Sequence, residues 1–225
     1  MRVRRVQLGG AGAPMPGTFA VPDGYPPGPA IVVVQEWWGL NGQIEMVTQR
    51  FAALGFAAVA PDLYRGELAT EPDEARKLKM ALDTERAVED LRTTVSFLKN
   101  QGATGIGVMG FCMGGRLTWE LAYRDDRLSA AVACYGYAEA EGRELRCPVQ
   151  MHAGTEDRFE PATLDAIAGT LRARGDGSEL FLYEGAHHAF MNDQRPEVYR
   201  PQDADRAFER AAAFFVEKLG APVPV

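Results

Sequence analysis

Gly107-Val108-Met109-Gly110-Phe111-Cys112-Met113-Gly114-Gly115 is the stretch that decides the fold. Its first half reads as a buried strand and its second half opens a helix, so Cys112 stands at a strand-to-helix turn, with Gly110 and Gly114 two positions to either side. A chain that turns so sharply strains its central residue and leaves space only for hydrogen at those two positions. A thiol placed there sits at a helix N-terminus, where the dipole and unpaired N–H groups favour thiolate. Taken alone, the same residues also describe a small buried cysteine in a glycine-rich turn. The rest of the chain has to separate the two readings.

Outward from this turn, strand and helix patterns alternate. Residues 4–8 and 18–21 read as an opening hairpin, and 22–29 as a turn-rich lead into the core. Residues 30–35, with three consecutive valines, have the unbroken apolar character of a strand buried on both faces. Asn41 caps a predicted helix running to Leu54, Gly55 ends it, and residues 56–60 begin the next strand. A charged region follows in which Val88, Leu91, Val95 and Leu98 share one helical face, and 105–110 is the strand before Cys112. Beyond the turn come a helix (112–123), strands (130–135 and 149–153), a helix (161–174), a last strand (180–183) and a closing amphipathic helix carrying Phe208, Ala211, Phe215 and Leu219. This order predicts an α/β fold: one domain over residues 1–225, a mostly parallel sheet with helices on both faces, and ligands at the carboxyl ends of the strands.

Bulk properties narrow the function. The 225 residues carry a formal charge of −7, with 46% apolar and 24% charged side chains, which disfavours a nucleic-acid or anionic-membrane partner. No apolar run approaches the roughly 20 residues of a membrane span, and the N-terminus lacks a signal-peptide pattern. Three cysteines, Cys112, Cys134 and Cys147, form neither an even set nor a close pair, which fits reduced thiols and a cytoplasmic location. Cys134 and Cys147, at strand edges without a motif, read as structural.

Two loops supply partners for Cys112. The strand at 149–153 runs into Gly154-Thr155-Glu156-Asp157-Arg158-Phe159, and the strand at 180–183 into Glu184-Gly185-Ala186-His187-His188-Ala189-Phe190. Nucleophile, acid and histidine therefore follow three separate strands, in the order of an α/β-hydrolase triad. Asp157 is the candidate orienting acid, and either His187 or His188 the base. A zinc site on His152, His187 and His188 is the competing reading, disfavoured because two of them are adjacent in one loop.

QEWWGLN (35–41), APDLYRG (60–66), GFCMGG (110–115), GTEDRF (154–159) and YEGAHHAFMND (183–193) together resemble the dienelactone hydrolase family along nearly the whole chain. The resemblance implies the α/β-hydrolase fold and a carboxymethylenebutenolidase-like hydrolase acting on small-molecule esters or lactones. It selects His188, two residues before Phe190, over His187. It makes Glu36 a carboxylate that takes the proton of the resting thiol, and gives the oxyanion hole to the backbone N–H groups of Met113 and Trp37. Trp38 and Arg76 are the substrate-binding candidates, with Arg158 and Arg195 as further cations. Neither metal nor organic cofactor is called for, and a monomer or small homo-oligomer is expected.

The family's arginine shortly after the histidine is missing, since the chain reads Met191-Asn192-Asp193 there, so the substrate is less defined than the reaction. A short-acyl esterase or thioesterase is the nearest alternative. A catalytically silent binding protein and a thiol redox protein on the same scaffold are the others.

Overall fold

The computed structural model describes residues 1–9, 14–24 and 27–220. β1 (Arg2–Leu8) and β2 (Met15–Val21) make the antiparallel opening hairpin. They are followed by β3 (Ala30–Val34), α1 (Gly42–Ala53) and β4 (Ala57–Pro61). Next come α2 (Pro72–Ala81), α3 (Thr84–Asn100), β5 (Ile106–Phe111) and α4 (Met113–Arg124). The chain then forms β6 (Ala130–Cys134), β7 (Val149–Gly154), α5 (Pro161–Ala173), β8 (Glu179–Tyr183) and α6 (Pro201–Leu219). Among the described residues these strands build one eight-stranded sheet in the order β1-β2-β4-β3-β5-β6-β7-β8, antiparallel from β1 to β4 and parallel from β4 to β8. This is the α/β-hydrolase fold.

The sheet is central because its inner strands, β3 to β6, are apolar on both faces. Within β3, Val32 and Val34 point into a core shared with Val88, Leu91, Val95 and Leu98 of α3 and Leu117 and Leu121 of α4. Ile31 and Val33 point into the opposite core, with Ile44, Val47 and Phe51 of α1 and Phe208 and Phe215 of α6. Phe51 touches both of those α6 rings, at centroid distances of 4.9 and 5.7 Å. Each such side chain contributes roughly 1.5–3 kcal/mol by leaving water.

Most boundaries fall within a residue or two of the sequence expectation, and three differences have local reasons. β2 begins at Met15 rather than residue 18, and Pro16 is tolerated because it precedes Gly17, the first residue paired with β4. The charged region divides into α2 and α3 at Leu82, where the chain is extended and Asp83 caps a new helix by accepting from the Arg86 N–H at 2.8 Å. Tyr135 leaves the sheet with a φ of +41° instead of ending β6. Residues 25 and 26 of the expected turn lie outside the described residues.

Candidate active site

Five strand ends deliver the site. β3 runs into Glu36 and Trp37, β5 into Cys112, β6 into Tyr135, β7 into Asp157 and β8 into His188. Cys112 has φ 53° and ψ −111° and caps α4, so its side chain stands out from the turn. The close packing around it shows why the flanking residues are glycines. A Cβ on Gly114 would lie 2.5 Å from the carbonyl oxygens of both Val34 and Gln35. The acid and histidine loops are laced together: Thr155 N–H donates to Tyr183 O at 3.0 Å, Glu156 N–H to Ala186 O at 3.0 Å, and Gly185 N–H to the Thr155 hydroxyl at 2.8 Å.

These loops form a hydrogen-bonded relay. His188 Nε2 lies 3.1 Å from Cys112 Sγ, and its Nδ1 lies 3.0 Å from both carboxylate oxygens of Asp157. Asp157 is fixed in turn by the Arg158 N–H, which donates at 2.7 Å. Burial, the largest influence on His188, disfavours its charged form, but hydrogen bonds and charge from Asp157 and Cys112 outweigh it and raise its pKa to about 9. The arrangement stabilises an imidazolium beside the sulfur, the electrostatic partner a thiolate needs. His187 points elsewhere: it is exposed, with Nδ1 3.3 Å from Glu156 O.

Glu36 is buried behind the sulfur and lines the same small recess as Cys112, His188 and Trp37. Its carboxylate accepts from the Tyr135 hydroxyl at 2.9 Å and from the Asn192 amide at 2.8 Å. Burial raises its pKa, opposed by these two donors. Tyr135 also sets its ring edge against His188, 5.2 Å between centroids, so one side chain buttresses both groups. The Met113 N–H opens α4, where the first N–H groups have no intrahelical acceptor, and the Trp37 N–H has no partner within the chain among the described residues.

With this geometry in view, the comparisons are specific. The family model described as "Dienelactone hydrolase family" matches residues 15–219. The chain belongs to that family. As a dienelactone hydrolase family member it is 34% identical over 207 residues to "Protein usf" of Aquifex pyrophilus, covering 85% of this chain and 89% of that protein. It is 32% identical over 203 residues to a protein of Aquifex aeolicus named "Putative carboxymethylenebutenolidase", covering 84% and 87%. The solved structure titled as a "Putative Dienelactone Hydrolase" from Klebsiella pneumoniae superposes with a TM-score of 0.86 at 28% identity, covering 96% of this chain and 98% of the other.

Not every sequence candidate reaches the site of this dienelactone hydrolase family member. Arg76 lies on the exposed face of α2, paired with Asp73 at 2.7 Å, and lines neither part of the cleft at Cys112. Its place is taken by Lys79, one helical turn on, together with Arg158 and Arg195. Trp38 faces a neighbouring hollow rather than Cys112, edge to face with Trp37 at 5.2 Å. The three histidines of the zinc reading are not gathered. His152 is buried in β7, its Nδ1 2.8 Å from the Tyr183 hydroxyl and its Nε2 2.8 Å from Gln150 Oε1. Cys134 and Cys147 are buried and free, and burial pushes both thiols up. Among the described residues no helix is long and apolar enough to cross a membrane. Tyr135 and Asn192 were not read as site residues from the sequence. The signal that the sequence carries for them is position alone, one at the end of the strand read over 130–135 and the other two residues after Phe190.

Proposed function

We propose that this hydrolase cleaves carboxylic esters or lactones through Cys112, with His188 as acid and base and Asp157 as the group that orients it. The observation that carries the reading is the unbroken relay from Asp157 through His188 to Cys112 at 3.0 and 3.1 Å, seated on the strained turn. Catalytic cysteines are activated in this way, by an adjacent base that a third group holds in place.

The steps follow from the atoms present. The Cys112 sulfur, its proton passed to His188 directly or by way of Glu36, attacks the substrate carbonyl. The N–H groups of Met113 and Trp37 hold the resulting oxyanion, as donors fixed before the reaction begins. The carbon–oxygen bond then breaks and His188 gives its proton to the departing oxygen, leaving a thioester on Cys112. Water attacks the thioester, loses a proton to His188, and the thiolate leaves as the acid is released. Asp157 stabilises the imidazolium at each stage. Lys79 and Arg158 at the smaller recess supply positive charge suited to a substrate carboxylate, in the place of Arg76.

The test uses dienelactone and a neutral aryl ester, with hydrolysis followed by absorbance for the wild type and Cys112→Ala, each confirmed folded. Hydrolysis by the wild type and none by the variant is the expected result. Activity that survives in the variant, or is absent from both proteins, overturns the reading.

A further inference from the structure

Beside the Cys112 cleft lies a separate hollow of about 420 Å³, larger than either part of that cleft at about 260 and 70 Å³. Trp38, Leu68 and Ala69 make it apolar, while Asn41 and Gln194 add neutral polar groups. The hollow and the small recess at Cys112 share a wall. Trp37 faces the recess and Trp38 the hollow. Asn192 lines the hollow while its amide donates to Glu36 on the recess side at 2.8 Å. Arg195 lines both spaces.

Arg195 combines a fixed backbone with a loosely held side chain. Its N–H donates to Asn192 O at 3.1 Å, and its carbonyl accepts from the N–H groups of Val198 and Tyr199 at 3.0 and 2.9 Å. The guanidinium is held by the exposed Glu197, through Nε at 2.7 Å and Nη2 at 2.6 Å, and lies 5.9 Å from the centre of the Trp38 ring. Exposed ion pairs hold weakly, so the side chain can be displaced while the wall's backbone stays in place. Because Glu197 answers the charge of Arg195, the hollow beyond suits an uncharged ring packed on the indole.

We propose that Arg195 is a specificity-determining residue: it closes the Cys112 cleft from the adjoining Trp38 hollow, and with the side chain displaced or shortened the hollow receives an uncharged aromatic or alicyclic group of an extended ester. This rests on the ester-hydrolase reading. Three neutral probes test it, so that the lost Arg195 charge bears equally on all: phenyl acetate, 4-biphenylyl acetate, which is extended on the alcohol side, and phenyl 4-phenylbutanoate, extended on the acyl side. In Arg195→Ala, the kcat/KM ratio of one extended ester to phenyl acetate should rise at least about tenfold. Because the ratio is taken within one protein, partial unfolding cancels from it. The double variant Arg195→Ala/Leu68→Trp, which fills the hollow from its exposed rim, should return the ratio to the wild-type value. Ratios within about twofold of wild type for both extended esters in Arg195→Ala, or a gain that persists in the double variant, overturn the proposal. A wild type that is active on phenyl acetate but shows no shift in the variant removes only the wall. A wild type inactive on both phenyl acetate and dienelactone removes the ester-hydrolase reading with it.

Discussion

Replacing Asp157 by Asn keeps the shape of the side chain and removes its charge, which isolates the electrostatic part of the relay. Lifting an imidazole from its ordinary 6.5 to about 9 corresponds to about 3.4 kcal/mol of extra stabilisation of the charged form. Asp157 and Cys112 supply that net stabilisation together against the opposing effect of burial, so about 3.4 kcal/mol, or roughly 300-fold in rate, sets the scale of the loss in the variant if it is realised at the transition state. The expected loss in kcat/KM on an aryl ester at pH 7.5 is roughly thirty- to 300-fold. The pH profile should move as well. In the wild type the imidazolium persists up to about pH 9, where activity should fall as His188 loses its proton. In Asp157→Asn burial is less opposed, and that alkaline limb should move down by at least about one pH unit. The same sign governs folding. The raised pKa stabilises the native state fully below about pH 6.5, and this contribution is lost as pH rises through about 9, so the stability gap between wild type and variant should narrow over that interval. A variant within about threefold of wild type, with its alkaline limb still near pH 9, would show that Asp157 does not hold the charge on His188.

Three further outcomes are expected. His152 is buried neutral with its pKa lowered to about 3, chiefly by burial, so an unfolded chain takes up a proton below pH 6.5 that the folded one refuses. Between pH 7 and 5 the wild type should therefore lose about 2 kcal/mol more stability in urea than His152→Gln, and equal losses would contradict this. Gly114→Ala drives a methyl group toward the Val34 and Gln35 carbonyls, and should cost about 3 kcal/mol and lower the melting temperature by roughly 6–12 °C. An unchanged melt would mean that the turn relaxes freely. Asn192→Ala removes one of the two donors that oppose the effect of burial on Glu36, so the Glu36 pKa rises further and the acid limb of kcat/KM shifts to higher pH. An acid limb that stays in place or moves down would separate Glu36 from proton transfer.

What the sequence discloses and what it hides divide along physical lines. The parallel strands are legible because burial on both faces leaves runs such as Ala30–Val34 and Ala130–Cys134 with no polar residue. Cys112, Asp157 and His188 are legible because each closely follows a strand, and the fold turns strand order into spatial convergence. Tyr135 is hidden because nothing local separates the last residue of a strand from the first beyond it, and its positive φ is a feature of the folded chain that the sequence does not announce. Arg76 misleads because the i, i+3 spacing puts Arg76 and Lys79 at neighbouring positions of one helical face, and the sequence does not say which of them lies over the cleft. Pairing with Asp73 draws Arg76 to the outer face of α2, while Lys79 reaches the cleft. Trp37 and Trp38 are equivalent in the sequence, and only their opposed orientations assign one to the recess and the other to the hollow.

The turn at Cys112 places its unusual conformation in the backbone of one residue, and the crowding that enforces it falls on the neighbouring glycines rather than on the atoms beyond the Cβ of Cys112. The identity of the atom carried at the turn is thus insulated from the architecture that presents it. Oxygen can stand where sulfur does without asking anything new of the sheet, the helix or the glycines. The scaffold can exchange the atom it presents by a single substitution, whereas a side chain added at Gly110 or Gly114 must renegotiate the fold.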